Sequence, residues 1–434
     1  MTTSVPFIEN YSDLRAGLPG AGLPWLDTLR GTGLDRYEAL GLPTPKVEDW
    51  KYTNLRALTA LTFARASGDR SAAIDDVPSL VFDGDVHRIV LVNGTVNAAL
   101  SDFDGLPDGL SVLPFDQAIT RDPGALESHV GHVAALGRKP FVALNTAYLD
   151  DGLVIRVAAG AKIDAPLHLA FVGAAGDEHL VWHPRLLIVV EEGASATIVE
   201  THSGAGSYFS NGVSEVTVGR DGGLHHLKIQ DEAAAAFHIA AIEARVSARA
   251  SYESFILSTG AALSRNQISV LLAEEEARCR VNGAYLMRGN QHVDTTSVID
   301  HAVPNCTTNE VYKGVLDDKA RAVFQGKIIV RKDAQHTEGH QLNKTLLLSD
   351  RAEIDAKPEL EIYADDVACG HGATTGEIDE NALFYLRSRG IDAEIARSML
   401  IDAFVDEALQ EISREDLHDT FRATVAAWQK GGLS

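Results

Sequence analysis

The stretch "DDVACGHGATTG", Asp365 to Gly376, sets a cysteine and a histidine two positions apart among glycines. In an extended strand residues i and i+2 face the same way, roughly 6 to 7 Å apart at about 3.3 Å rise per residue. Cys369 and His371 can therefore offer a thiolate and an imidazole to one metal ion, or to one edge of a cluster. Cys-x-His lacks the discriminating spacing of paired Cys-x-x-Cys zinc motifs. Taken alone, the stretch is read more simply as a packed cysteine beside a polar histidine in a turn.

Other candidate chemistry is sparse. Cys279, Cys306 and Cys369 are odd in number and far apart, which argues against a disulfide framework and fits a reducing compartment. Iron–sulfur clusters usually take four thiolates, so any cluster here needs ligands from elsewhere. His336 and His340 in "QHTEGHQ" have helical metal-ligand spacing but lie between strand-like runs, where i and i+4 are too far apart to chelate together. His225 and His226 point to opposite faces of a strand, one outward and one toward a core. No Gly-x-x-x-x-Gly-Lys-Ser/Thr and no Gly-x-Ser-x-Gly occurs, so neither an ATPase nor an elbow-type hydrolase is expected. The "DDK" and "RKD" runs imitate the groove of a glycan lyase but are more simply solvated corners.

The elements that position these residues change along the chain. Residues 1 to about 80 read as short helices, with "LPWLDTLR" and "LDRYEALGLP" carrying leucines at helical spacing and Pro45 near a further helix start. From about 85 to 376 apolar runs of four to seven residues end at Gly, Asp or Glu pairs: "HRIVLVNG", "GLVIRVAAG", "RLLIVVEEG", "QISVLLAEEE", "VFQGKIIVRKD", "NKTLLLSD" and "PELEIYADD". That is the signal for many strands without intervening helices. A weak echo recurs in "EEGASATI", "RDGGLHHL", "SARASYES", "EEEARCRV", "DDKARAVF" and "SDRAEIDA": a charged or small-residue turn, a small residue, then alternation. Strand-built repeats of this length stack most naturally into a parallel β-helix, with a β-sandwich as the alternative. After Gly376 helical spacing returns. Asp392 is the expected N-cap of one helix, and Ser413 with Asp416 forms the capping-box pattern of another.

The chain has 434 residues, 45% of them apolar, with 61 acidic against 38 basic side chains and a net charge of −23. Nucleic acid and anionic membranes both need positive potential on the protein, so neither is an expected partner. With no basic-then-apolar leader and no uncharged apolar run near 18 residues, a soluble, cytoplasmic protein is expected.

The run from Asp300 to Ile391, which opens "DHAVPNCTTNEVYKGVLDDKARAVFQGKIIVRKD" and closes "CGHGATTGEIDENALFYLRSRGI", closely resembles the C-terminal core of the SufB/SufD family of iron–sulfur cluster assembly proteins. "KVEDWKYTNLR" near the N-terminus also looks like that family. "CGHGATTG" followed by "LFYLRSRGI" is similar to the D-type members; B-type members carry a glutamate-flanked histidine and a cysteine after their "FY". The resemblance implies a mainly β chain: a right-handed parallel β-helix, 85–376, between an N-terminal helical region, 1–84, and a C-terminal helical domain, 377–434. It also implies a non-catalytic scaffold subunit that pairs with SufB through the β-helix cores. The ATPase SufC would dock on the C-terminal helices, and the isolated chain could form a homodimer. His371 and Cys369 would then be this chain's share of a nascent iron–sulfur cluster site completed by SufB, with no cofactor held tightly by the isolated chain. Two other classes stand beside this one: a β-helical carbohydrate-active enzyme, and a purely structural partner of SufB. Because a solenoid is held mostly by nearest neighbours, the C-terminal module is expected to be removable without unfolding the stack.

Overall fold

The computed structural model describes residues 6–66, 78 and 84–431. The N-terminal part contains helices α1 (Tyr11–Leu14), α2 (Pro24–Leu40) and α3 (Arg56–Thr59), and strands β1 (Ala64–Arg65), β2 (His87–Val92), β3 (Thr95–Asn97) and β4 (Leu110–Pro114). The two leucine-bearing runs expected as separate short helices are the single helix α2, because Leu26, Arg30, Gly33 and Tyr37 continue one buried row through the junction. Three helices follow, α4 (Phe115–Arg121), α5 (Pro123–Glu127) and α6 (Pro140–Tyr148), inside a span whose sequence reads as strands. All nine residues of α6 are buried. A helix covered on every side has no apolar stripe, so periodicity cannot distinguish it from a core strand.

The main body is a parallel β-solenoid. It opens with β5 (Asp151–Val157), β6 (Leu167–Trp182), β7 (Pro184–Val190) and β8 (Ser195–Val218). It continues with β9 (Gly223–Gln230), β10 (Phe237–Val246), β11 (Ser251–Ser258), β12 (Leu263–Leu272), β13 (Arg278–Met287) and β14 (His292–His301). The last turns are β15 (Thr307–Leu316), β16 (Arg321–Val330), β17 (Thr337–Leu347), β18 (Glu353–Ile362) and β19 (Val367–Gly376). Every second strand pairs in parallel, which makes two sheets. One runs from the C-terminal half of β8 through β10, β12, β14 and β16 to β18. The other runs from the N-terminal half of β8 through β9, β11, β13, β15 and β17 to β19.

The acidic echo in the sequence marks the corners. Asp221, Arg249, Glu276 and Asp318 take left-handed backbone conformations there. Ala250, Ala277 and Ala320, just past three of these corners, are fully buried. The charged residue turns the chain in water, and the small one lets it re-enter the stack. Between the sheets lies a core of Val, Ile, Leu and Ala with Tyr252, Tyr285, Tyr312 and Phe324. Gly314 makes room for one of these rings: a Cβ there would lie 2.0 Å from the Tyr285 ring.

The "EDWKYT" segment forms one 3-10 turn, Glu48–Trp50, rather than a helix, and acts as a latch. Trp50 is buried with the Arg265 guanidinium 4.0 Å over its ring, and Arg265 is paired with Asp294 inside the stack. The Arg265 Nη2 also donates to the Asp49 carbonyl, 2.8 Å away.

At the C-terminus, α7 (Glu380–Ser388), α8 (Ala393–Leu409) and α9 (His418–Gln429) follow β19. Asp392 caps α8 as expected, accepting from the Glu394 amide at 2.8 Å. The expected capping box does not form. The Ser413 amide donates to Glu253 at 2.7 Å and its hydroxyl turns to the same carboxylate, while Asp416 takes two bonds from Arg414. Charge-assisted bonds of this kind outcompete a neutral cap. The module is also not a bead on the end of the stack. Ile401, Val405, Leu409, Phe421 and Val425 cover Leu227, Phe255, Leu257, Leu286 and Val315 on the outer face of the β9–β15 sheet. Removing it would uncover a core, so the expectation of a dispensable module is corrected.

Candidate functional site

Among the described residues β19 pairs with β17 alone, which leaves its other edge open to them. On β17 the odd-numbered residues Thr337, Gly339, Gln341 and Asn343 are buried and face inward. The register sets Cys369 beside Gly339 and His371 beside Gln341, which puts both on the inward file of the last turn, as the i, i+2 spacing requires. Cys369 is half-buried against the small cluster of Ile328, Val330 and Ala364. Burial pushes its thiol up, with the Gly339 backbone offsetting part of the effect. His371 is exposed at the open edge. Beneath it, Gln341 donates to Glu310 at 2.6 Å, and burial raises that carboxyl to about 7 despite bonds from Ser297 and Gln341.

Gly370, between the two donors, has no atom within 4 Å of where a Cβ would stand, and its φ is not positive. Nothing among the described residues requires a glycine there.

The remaining sequence candidates do not join this pair. Cys279 lies on the same file as Cys369, separated by Thr308 and Gly339, hence about 14 Å away at 4.8 Å per strand. Cys279 is fully buried, and burial drives its thiol far up. Cys306 is also buried, its sulfur 3.5 Å from the Glu274 and Pro304 carbonyls. His336 sits at a corner, 3.1 Å from Asp366, while His340 lies on the outer face of β17. The "DDK" run is a corner whose Asp318 accepts from the Gly289 amide, and Arg331 of "RKD" pairs with Asp300.

A second polar cluster, which sequence reasoning did not assemble, lies inside the first turns. Of the adjoining His225 and His226, His226 is the one that faces the core, and there it meets Glu200 at 2.6 Å and the Tyr252 hydroxyl at 3.1 Å. His202, Lys228, Glu232 and His238 stand around it, all buried. Burial alone would raise the Glu200 carboxyl, but hydrogen bonds from His202 and His226 hold it well below the usual carboxylate range. Among the described residues, His202, Glu232 and His238 are the group of three metal-type donors whose ligand atoms all lie within 4.8 Å of one another. Cys369 and His371 belong to no such group.

The C-terminal helices carry the other conspicuous surface. Phe384 is 74% exposed, with Tyr385, Ile395 and Met399 also exposed on α7 and α8. The Ile395–Met399 row, apolar at helical spacing, faces outward, and the roof is built from the Ile401, Val405 and Leu409 side instead. Among the described residues no helix is long and apolar enough to cross a membrane.

Fold and site together define a two-sheet β-solenoid protein, roofed by helices, with a cysteine and a histidine on one face of its last strand. Residues 171–404 match the family model described as SUF system FeS cluster assembly, SufBD core domain, and residues 1–169 match the SufBD protein N-terminal region. The sequence is 33% identical to the iron–sulfur cluster assembly protein SufD of Escherichia coli, covering 90% of each chain. It is 32% identical to an iron–sulfur cluster assembly SufBD family protein of Synechocystis, over 90% of this chain and 88% of that one. Similarity extends to the chloroplastic protein ABCI7 of Arabidopsis thaliana, 29% identical over 96% of this chain. The chain belongs to the SufBD family.

Proposed function

We propose that this protein is the D-type scaffold subunit of a cytoplasmic iron–sulfur cluster assembly complex, without catalytic activity of its own. It pairs through the open end at β18 and β19 with a SufB subunit. Together they hold a nascent cluster as cargo, His371 supplying one ligand and Cys369 a weaker one. ATP hydrolysis comes from SufC, docked on the C-terminal helical domain, 377–434, beside the β-helix core, 85–376, and the N-terminal region, 1–84. The observation that carries this reading is the exposed imidazole on an open strand, next to a glycine that no internal contact demands. Neutral imidazole is an iron ligand, and cluster centres with histidine in place of cysteine exist. Iron prefers a thiolate, and Cys369, with its pKa raised by burial, is less ready to supply one. Exposed Phe384, Tyr385, Ile395 and Met399 suit an apolar docking surface for the ATPase.

The test is co-expression with SufB and SufC, followed by iron and sulfide counts per complex at matched subunit stoichiometry. His371→Ala is expected to abolish or strongly reduce the cluster with subunit association intact, and Cys369→Ala to reduce it less. Equal iron in wild type and both variants would leave "CGHG" a structural turn and the chain a purely structural partner.

A further inference from the structure

The buried cluster in the first turns is separate from the cluster end. From β9 to β19 the sheet steps through β11, β13, β15 and β17, about 24 Å at 4.8 Å per strand. Its central residue is His202. The ring lies flat on Phe171, with centroids 4.4 Å apart and planes at 1°, which fixes its orientation. Its Nε2 is 2.8 Å from Glu200 Oε2, an acceptor, so the proton sits on Nε2 and Nδ1 carries a bare lone pair. That Nδ1 is buried and has no hydrogen-bond partner. An unpaired acceptor in a protein interior costs on the order of 1 to 3 kcal/mol, so this one calls for a ligand.

Two more donors converge on the same space. The rings of His202 and His238 meet edge to face, 4.9 Å apart. His238 Nδ1 lies 2.8 Å from Glu232 Oε2, yet off the line that an N–H···O bond needs. Gln230 Nε2 donates to that same Glu232 oxygen at 3.0 Å and steadies the carboxylate. Two imidazoles and a carboxylate are the donor set of zinc and ferrous sites that keep a fourth position for water. A carboxylate on the far nitrogen of a ligating imidazole is the arrangement that orients it and raises its basicity, and Glu200 holds that place. Ligand atoms around a tetrahedral ion at about 2.0 Å stand roughly 3.3 Å apart, and the three here all lie within 4.8 Å of one another.

We infer that His202, Glu232 and His238 form a mononuclear site for a divalent first-row cation, Zn²⁺ or Fe²⁺, inside the solenoid. The opposing charge is Lys228, whose ammonium is 2.8 Å from His238 Nε2 and 3.0 Å from Asn266 Oδ1. When the cation binds through Nδ1, the His238 proton moves to Nε2. Lys228 then either loses a proton to solvent and accepts from Nε2, or swings toward Asn266.

The probe is Co²⁺, supplied during expression of the full chain so that the ion is present as the stack closes. The Cys369→Ala/His371→Ala background removes the donors at the other end. About one Co²⁺ per chain is expected, with visible d–d bands of a nitrogen and oxygen ligand field and no thiolate charge-transfer band. Growth with Zn²⁺ in place of Co²⁺ should fill the site and abolish those bands. His202→Asn and Glu232→Gln, made separately in case one fails to fold, should each lower bound Co²⁺ to below about a tenth of an equivalent. A chain that folds without Co²⁺ in the double-variant background overturns the inference and leaves the cluster an ion-pair network. Binding that survives both His202→Asn and Glu232→Gln also overturns it, by placing the ion elsewhere.

Discussion

Gly370→Ala separates what the chain needs from what a partner needs. The added Cβ meets no atom within 4 Å, and the backbone is in no conformation reserved for glycine. The only internal effect is a smaller loss of backbone entropy on folding, worth about 0.4 to 1 kcal/mol in favour of the variant. In a chain of 434 residues that raises the melting temperature by no more than about 2 °C. Gly314→Ala is the control for an internal need. Its Cβ would stand 2.0 Å from the Tyr285 ring in a packed core, and overpacking of that kind costs about 1 to 3 kcal/mol. Scanning calorimetry on the isolated variants should therefore show Gly370→Ala at or slightly above wild type and Gly314→Ala several degrees below. Binding to SufB by titration calorimetry, with iron per reconstituted complex, should reverse the order. Gly370→Ala is expected to lose at least about tenfold in affinity or iron, roughly 1.4 kcal/mol. A Gly370→Ala chain that is as stable as wild type and pairs and loads iron equally well would refute the argument that this position is kept bare for a partner.

Glu310→Gln should change the pH profile of stability. The folded carboxyl titrates near 7 against an ordinary 4.5, so the folded state holds an extra proton between those values. Stability therefore falls as pH rises through that window and levels off above it. The variant should be more stable than wild type at pH 8 by up to about 3 kcal/mol, with the gain gone below about pH 4, as read by urea unfolding at several pH values. Trp50→Ala empties a buried site under Arg265 and beside Phe141, and should cost about 3 to 5 kcal/mol in the same assay. Phe384→Ser combined with Tyr385→Ser should leave the melting temperature nearly unchanged, because both side chains are exposed. Capture of SufC by the variant should nonetheless fall by about 2 kcal/mol or more if the surface docks it.

The strands were legible because each apolar run ends at its own corner, and the corners repeat: Asp221, Arg249, Glu276 and Asp318 each turn the chain before a buried small residue or a glycine. Cys369 and His371 were legible for the same reason, since alternation alone puts them on one face. The α6 segment was not, because "PFVALNTAY" is apolar all round and carries no period. The capping box at Ser413 failed because a carboxylate on β11, far away in sequence, offers a stronger bond than the local amide. The inner His and Glu cluster stayed hidden because, apart from Glu200 and His202 on one strand, its members meet across turns. The echo would have misled by one residue: "EEGASATI" written against "RDGGLHHL" sets Ser195 on Leu224, whereas the observed register sets Ser195 beside Gly223, Glu200 beside Lys228 and His202 beside Gln230.

The two ends of the solenoid differ in a way that governs how copies can join. The last turn presents β18 and β19, each hydrogen-bonded on one side only among the described residues. The first turn is closed by β2 and by the short antiparallel strands β3 and β4. A growing filament would need the last edge of one molecule to match the first edge of the next, and a three-residue antiparallel strand offers no such match to a ten-residue parallel one. A contact made through this end would therefore set last edge to last edge, about a twofold axis that closes after two chains. On that geometry an edge-to-edge contact, with an identical chain or a related one, stops at a pair instead of propagating into a fibre.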